Sequence, residues 1–318
     1  MKKTCIFELD APYREPMRIQ SFLFGEQTDS ARQAGCAIMG ATRGNEAQQI
    51  FTCAHIVEKL RELEQQGCIA PGRQISVIPT ANPYSVNTAR RFWPMDDTDI
   101  NRMFPGYSLG ETTQRIAHQV FEAVRPYQYG IQFASYYMPG EFMPHIRMMR
   151  TGYEDTAAAA LFGLPYLYVR ETRPFDTTTL NYNWQIFETS AFSIFAGKTD
   201  ELDEAATALS VRATLHFLKG VGILTAQTQI PSVPERPPIR IITNRDLTFV
   251  QAKTGGLMRR IRHAGDMVKC GDELGFIHDP YDNSIRQTLL SPRDGRVFFV
   301  HRNPFVYENT IAYRILHV

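Results

Sequence analysis

Two short segments in the first third of the chain carry side chains that could bind an anion. Arg43 and Glu46 lie in the turn G-A-T-R-G-N-E, and Arg91, Asn101 and Arg102 follow in a loop. Planar guanidinium groups match carboxylate and phosphate oxygens through paired hydrogen bonds. Each of these arginines is therefore a candidate for binding a small carboxylate- or phosphate-bearing molecule.

The sequence around these residues predicts the secondary structure that positions them. The apolar run at 36–39 predicts a strand that ends at the turn, and a helical pattern follows it. Open α/β sheets build their ligand sites at the carboxyl ends of such strands. The second segment lies in a loop at 79–108 with little predicted structure, and long loops of this kind are usually functional.

Several residues of this loop resemble a motif of a known enzyme family. Asn82-Pro83, Arg91 and the run D-I-N-R-M-F-P-G at 99–106 match the pattern N-P…R…D-x-N-R-x-F-P-G of the succinylglutamate desuccinylase/aspartoacylase family. The resemblance extends from about residue 37 to the C-terminus. It implies an α/β fold of the zinc-carboxypeptidase type, in which a mixed sheet has helices on both faces and a small C-terminal β-barrel-like domain follows.

The resemblance also implies a zinc site that this chain has not kept. In the family, zinc is held by the histidine and glutamate of G-x-H-G-N-E and by a second histidine of a D-x-H strand end. Glu46 matches the glutamate, but Arg43 stands at the first histidine and Ala134, two residues after Gln132, at the second. Arginine has no lone pair for a metal, and a catalytic zinc needs three protein ligands. Zinc is therefore doubtful, and His145 is a weak candidate for a replacement ligand.

The remaining family roles can be carried over by position. The resemblance implies that Arg91, Asn101 and Arg102 bind substrate oxygens, with Arg91 also serving catalysis, and that Asp99 orients a neighbouring arginine. It implies that Glu188, predicted on a strand, is the general base. Without zinc, this base would have to activate an ordinary water of much higher pKa.

Three functional interpretations follow. In the first, the protein no longer hydrolyses its ligand and binds a small anion through Arg43, Arg91 and Arg102. In the second, it is an active hydrolase of an amide bond in an N-acyl amino acid, with a shifted metal site or a metal-free attack of water driven by Glu188. In the third, it is a structural or assembly protein whose pocket is inert and in which Arg43 only pairs with Glu46.

Composition narrows the class of protein. The 318 residues are 43% hydrophobic and 21% charged, as expected of a globular chain, and the net charge is +1. This charge balance does not favour nucleic acid or a membrane surface as a partner. Five cysteines without C-x-x-C spacing indicate neither a disulfide framework nor a cysteine zinc site. With no predicted signal peptide or membrane span, we expect a cytoplasmic protein, and a homo-oligomer is possible.

A proline-rich stretch predicts the division of the chain. Residues 1–230 alternate apolar strands, such as 74–79 and 166–169, with helices at 112–124 and 200–219, whereas 241–318 has short strands between glycine turns. The linker is predicted at 231–240, where proline prevents helix formation. The last part resembles a biotinyl/lipoyl-type barrel, but I-H-D-P replaces the carrier lysine segment, so no prosthetic group is expected.

Overall fold

The computed structural model describes residues 1–26, 33–231 and 238–318. Most of the predicted proline-rich linker lies outside the described residues. The described chain forms a large mixed sheet and a second, smaller sheet, with α-helices packed on both faces of the large one.

The strands are numbered in chain order. They are β1 (Lys2–Ala11), β2 (Arg14–Gly25), β3 (Gln33–Ala41), β4 (Gln74–Thr80), β5 (Tyr127–Phe133), β6 (Gly140–Arg150), β7 (Tyr166–Glu171), β8 (Ser190–Lys198), β9 (Arg240–Ile242), β10 (Leu247–Gln251), β11 (Gly256–Arg260), β12 (Met267–Val268), β13 (Glu273–His278), β14 (Ile285–Leu290), β15 (Gly295–His301), β16 (Phe305–Val306) and β17 (Ile311–Leu316).

Six α-helices and three short 3-10 helices connect these strands in the described chain. The α-helices are α1 (Ala47–Gln65), α2 (Pro83–Asn87), α3 (Thr112–Val124), α4 (Thr156–Ala160), α5 (Leu180–Ile186) and α6 (Glu204–Gly220), and the 3-10 helices are Ile100–Arg102, Pro174–Asp176 and Asn244–Asp246. The helix predicted at 112–124 is confirmed. The one predicted at 200–219 begins later, because the side chain of Asp203 caps the first turn by accepting from the Ala206 amide.

The large sheet has a parallel centre that fixes the position of the site. Its main path runs β1-β2-β4-β3-β5-β8-β6-β15-β17-β10, and β4, β3, β5 and β8 are parallel to their neighbours in this series. The carboxyl ends of β3, β5 and β8 therefore meet at one edge. The turn that contains Arg43 and Glu46 follows β3 at this edge, as the sequence predicts.

Alternating residues of β3 face two hydrophobic cores. Cys36 and Ile38 pack with α1 and α6 on one face of the sheet, and Ala37 and Met39 pack with α3 and α5 on the other. This alternation is expected of a strand that is buried on both faces. The predicted mixed sheet with helices on both faces is confirmed.

The C-terminal strands do not close into a barrel, so that part of the prediction is wrong. β15 pairs with β6, with Phe299 opposite Phe142, and β17 and β10 continue the large sheet from there. β14, β13, β11 and β16 form a separate four-stranded sheet. Strands from both sides of the predicted linker thus share one sheet, and a division into independent domains stays a prediction. No helix in the described chain is long and apolar enough to cross a membrane.

Candidate functional site

Arg43 lies at the end of β3 between two carboxylates. Its Nε donates to both carboxylate oxygens of Asp99, at 3.2 and 3.0 Å, and its Nη1 donates to Oε1 of Glu46 at 3.2 Å. The side chains of Arg43 and Glu46 are only 3% and 2% exposed, so water contributes little to stabilising these charges. The guanidinium is instead held by hydrogen-bonded counter-charges, which is the usual condition for a buried charge.

The turn after β3 supplies nearly all the other partners of Glu46. Oε2 accepts from the backbone amides of Thr42 and Arg43, at 2.9 and 3.0 Å, and Oε1 accepts from the hydroxyl of Ser135 at 2.6 Å. This tight turn packs directly on α2, since a Cβ at Gly44 would lie 2.1 Å from the carbonyl carbon of Ser85. The glycine is therefore required for the approach of the two backbones.

Asp99 joins the two segments that the sequence singled out. In addition to Arg43, it accepts from Nε and Nη2 of Arg91, at 3.1 and 2.7 Å, and from the backbone amide of Asn101 at 3.1 Å. Burial alone would raise the pKa of Asp99, but the two guanidinium groups outweigh burial and lower it. The carboxylate therefore stays ionised and links the loop to the sheet, in agreement with the expectation that Asp99 orients an arginine.

A cavity of about 320 Å³ opens beside this cluster. In the described chain it is lined by six arginines but a single carboxylate, that of Asp176. The arginines are Arg43, Arg102, Arg147, Arg170, Arg173 and Arg314. Arg91, which the sequence placed in the ligand site, is not part of the lining, and its guanidinium is paired with Asp99. Asn101 does line the cavity, and its Oδ1 accepts from the Leu180 amide at 3.3 Å.

Only two of the six lining arginines are paired with carboxylates. Arg43 has the partners given above, and Arg170 pairs with Asp176 at 3.1 Å. Over the residues that the structure describes, no salt bridge reaches the other four, Arg102, Arg147, Arg173 and Arg314. Burial, followed by repulsion from Arg43, lowers the pKa of Arg102, which donates to the Phe175 carbonyl at 2.7 Å. The cavity thus carries an excess of positive charge.

Comparison with known proteins identifies the family. A model of the succinylglutamate desuccinylase/aspartoacylase catalytic domain matches residues 33–220, which is more than half of the chain. The chain belongs to this family. A curated relative is the N-alpha-acetyl-L-2,4-diaminobutyric acid deacetylase of Halomonas elongata, which is 23% identical over 253 residues, 76% of this chain and 70% of the relative.

Solved structures of the desuccinylase/aspartoacylase family share the fold. A family member from Rhodobacter sphaeroides aligns over 95% of this chain and 89% of its own, with 19% identity and a TM-score of 0.77. A desuccinylase from Silicibacter aligns over 99% and 93%, with 17% identity and a TM-score of 0.78. The product-bound ectoine utilization protein EutE of Ruegeria pomeroyi aligns over 95% and 90%, with 16% identity and a TM-score of 0.76.

The residues at the family's metal position do not fit zinc. Both oxygens of Glu46 already accept two or more hydrogen bonds, and the guanidinium of Arg43 occupies the space between Glu46 and Asp99. Ala134 packs against the rings of Phe142, Phe195 and Phe299 instead of offering a ligand. In residues 1–26, 33–231 and 238–318, no three His, Cys, Asp or Glu side chains are grouped closely enough to hold a metal ion. A zinc site of the usual composition cannot be assembled from these groups.

Glu188 does not lie where the predicted general base should be. It is not on a strand but in the turn between α5 and β8, with a φ of 67° and an exposed side chain. It therefore precedes β8, whereas the site follows β3, β5 and β8. The nine residues of β8 separate the two edges by about 25–30 Å. The predicted strand position of Glu188 is therefore wrong, and its role as general base stays a prediction that this position does not support.

His145, the candidate to replace a missing zinc histidine beside Glu46, is not available as a ligand. It lies on β6 and is fully buried, with its ring stacked on Phe195 at 5.0 Å and Nδ1 hydrogen-bonded to the Met143 carbonyl at 2.8 Å. Burial lowers its pKa to about 3, so the ring is neutral under ordinary conditions. His145 belongs to the packing behind the cavity and does not line it.

Sequence reasoning missed four arginines of the cavity, Arg147, Arg170, Arg173 and Arg314. Arg147 and Arg314 lie on strands between buried apolar neighbours, as in I-R-M-M on β6 and Y-R-I-L on β17, and Arg170 directly follows the buried run of β7. An arginine in an otherwise buried strand is unusual and is a signal for function. The sequence could have provided this signal, but not the fact that β6, β7 and β17 converge on one cavity.

Proposed function

We propose that this protein binds a small carboxylate- or phosphate-bearing molecule in the arginine-lined cavity, and that it does so without zinc. The observation that carries the proposal is the ratio of six arginines to one carboxylate in the lining. Clustered cations of this kind repel one another until an anion is bound. Guanidinium groups are also the side chains best suited to carboxylate and phosphate oxygens.

The partners of the acidic groups argue against hydrolysis as the main activity. A general base must be free to accept a proton from water near the substrate. Glu46 and Asp99 are paired with Arg43, and Asp176 is paired with Arg170. With Glu188 at the other edge of the sheet, the described chain offers no unpaired carboxylate in the lining. We therefore propose a binding function that uses the family's substrate pocket.

The name of the curated relative supports an amino-acid-like ligand and helps to narrow its charge. The relative is named for a deacetylase of N-alpha-acetyl-L-2,4-diaminobutyric acid, which bears a carboxylate and a free amine. The excess of arginines in this chain disfavours a ligand with a free amine. An acidic N-acyl amino acid or a similar organic anion fits the charge of the cavity better.

The proposal can be tested by calorimetric titration of the purified protein in buffer treated with a chelator. We expect acetate, succinate or inorganic phosphate to bind, and saturation at 100 times Kd to stabilise the fold by about 2.7 kcal/mol. Arg102→Met should weaken binding at least about tenfold, since it removes a cation with no carboxylate partner. Arg125→Met is a matched control, because Arg125 is an exposed arginine paired with Glu122 outside the cavity.

Elemental analysis separately tests the proposal that the protein functions without zinc. Protein soaked in excess zinc and then desalted should retain far less than one zinc per chain. Retention of about one zinc per chain, together with hydrolysis of N-acyl amino acids, would instead support the active hydrolase. Absence of anion binding in all titrations would overturn the proposed function.

A further inference from the structure

The wall of the cavity formed by β6 and β17 contains two arginines that lack a counter-charge. Arg147 comes from β6 and Arg314 from β17, and both flank the ring of Tyr136, at 5.8 and 4.5 Å from its centroid. Over the described residues, neither forms a salt bridge. Neither of them belongs to the family motif in the loop.

Both guanidinium groups lie over aromatic rings. Arg147 lies 4.4 Å from the ring centroid of Phe195, and Arg314 lies 5.1 Å from that of Phe249 and 5.5 Å from that of Phe299. Stacking of this type stabilises the positive charge but leaves the in-plane N–H groups unsatisfied. The rings therefore fix the two planes and direct their donors toward other acceptors.

The acceptors for these donors are largely missing from the described chain. Arg314 donates through Nη1 to the Tyr136 hydroxyl at 2.7 Å, but its Nε is buried without any hydrogen-bond partner. A buried donor without an acceptor costs free energy, and native structures rarely contain one. Burial, followed by repulsion from Arg170, lowers the pKa of Arg147 to about 10, as expected of a cation that lacks a counter-charge.

Arg147 and Arg314 are separate from Arg102, the arginine of the loop motif that lines the cavity. Arg102 comes from the loop after α2, and the cations that act on it most strongly are Arg43 and Arg91. Arg147 is instead affected most strongly by Arg170. The cavity therefore contains two groups of uncompensated donors on different structural elements.

We propose that Arg147 and Arg314 form a second anion subsite, so that the ligand carries two anionic groups, as in a dicarboxylate or a phosphorylated carboxylic acid. One group binds at Arg102 and the other beside the guanidinium groups of Arg147 and Arg314, both of which line the cavity. This inference rests on the proposed function, since it specifies the ligand of the same cavity.

The test compares ligands that carry one anionic group with ligands that carry two. Acetate and inorganic phosphate are the probes with a single group, and malonate, succinate and glutarate are the dianionic probes with two, each titrated by calorimetry near pH 7.5. We expect at least one dianion to bind about tenfold or more tightly than acetate. Arg147→Met and Arg314→Met should each reduce that dianion's affinity by a clearly larger factor than they reduce the affinity of acetate, because acetate occupies only one subsite. Arg314→Lys should retain part of the affinity.

Thermal melting without ligand separates a binding role from a structural one. Removing Arg147 removes a cation that repels Arg170, so Arg147→Met should melt at the same temperature as the wild type or higher while losing the response to dianions. A variant that melts lower and binds dianions normally would show that Arg147 only supports packing, which would overturn the inference.

The outcomes distinguish this inference from the proposed function. If Arg102→Met abolishes binding but dianions bind no more tightly than acetate, the cavity binds anions and the second subsite is wrong. If the Arg147 and Arg314 variants lose dianion binding and Arg102→Met does not, the second subsite is supported and the proposed role of Arg102 is wrong. If no probe binds to any form, both proposals are overturned.

Discussion

The arginine at the end of β3 and the arginines on β6 and β17 belong to one cavity but are stabilised in different ways. Arg43 is enclosed by Glu46 and Asp99, and these carboxylates raise its pKa against the opposing effect of burial. Arg147 and Arg314 lie on aromatic rings, and in the described chain no carboxylate pairs with either. The ion pairs of Arg43 therefore serve mainly to stabilise the fold, whereas the guanidinium groups of Arg147 and Arg314 can donate hydrogen bonds to a ligand. The predictions below test this difference.

The largest effect is expected from Arg43→Met, which leaves Glu46 and Asp99 buried without the cation they share. Removing one member of a buried charge cluster typically costs about 3–5 kcal/mol of unfolding free energy. Urea denaturation measures this change. Arg125→Met should alter the unfolding free energy by no more than about 0.5 kcal/mol, since its site is exposed. Equal losses of unfolding free energy from Arg43→Met and Arg147→Met would refute the distinction between the two regions.

The second prediction concerns acid stability and His145, which lies behind Arg147. Its pKa is lowered to about 3 in the fold, below its ordinary value of 6.5, because burial disfavours the charged ring. The contribution of the neutral His145 ring to the unfolding free energy is complete above pH 6.5. It is lost as the pH falls toward 3, because in this range only the unfolded chain binds the proton. With His145→Phe, the unfolding free energy should therefore fall less steeply as the pH decreases. The difference in slope is up to about 1.4 kcal/mol per pH unit, which corresponds to one proton.

Urea midpoints between pH 5 and 6.5 measure this slope for both proteins. The window lies above the range, at and below about pH 5, in which protonation of Asp99, whose pKa is lowered, affects stability. Parallel curves for the wild type and His145→Phe would show that the buried ring does not resist protonation.

The third prediction is that binding of a dianion weakens at high pH. Arg147 has its pKa lowered to about 10, so it loses its charge in the free protein as the pH rises beyond that value. Succinate is fully ionised throughout this range, and its Kd should increase by up to about tenfold per pH unit above 10. Titrations at pH 8, 9, 10 and 10.5 measure the change. Arg147→Met should show weaker binding at pH 8 and a flatter pH dependence.

The smallest effect is expected from Phe175→Leu. The half-exposed ring of Phe175 lies 5.7, 5.6 and 5.9 Å from the guanidinium carbons of Arg102, Arg170 and Arg173. Cation–π contacts at exposed sites contribute about 0.5–1 kcal/mol. We expect a loss of stability below about 1 kcal/mol and anion affinity reduced only a few-fold. An effect as large as that of Arg43→Met would mean that aromatic rings, and not carboxylates, provide the main support of the cavity.

Local patterns in the sequence were sufficient for much of the fold. The helix Thr112–Val124 follows from apolar residues at helical spacing, and the strand that precedes Arg43 follows from an apolar run that ends in a glycine turn. Arg43, Asn101 and Arg102, which the sequence assigned to one site, line one cavity, and their binding of a ligand stays a prediction. The error at Glu188 arose because a residue near the start of a strand was read as lying on it, and the two ends of β8 reach opposite edges of the sheet.

The sequence by itself determined the family and the mixed α/β fold, because these depend on residue types and spacings along the chain. Only the tertiary structure decided that Arg43 and Arg91 share Asp99, and that Arg147 and Arg314 meet at Tyr136 from strands more than 160 residues apart. Ion pairing and burial depend on which distant strands are neighbours in the sheet. Those contacts decide which arginines are already neutralised and which have donors for a ligand.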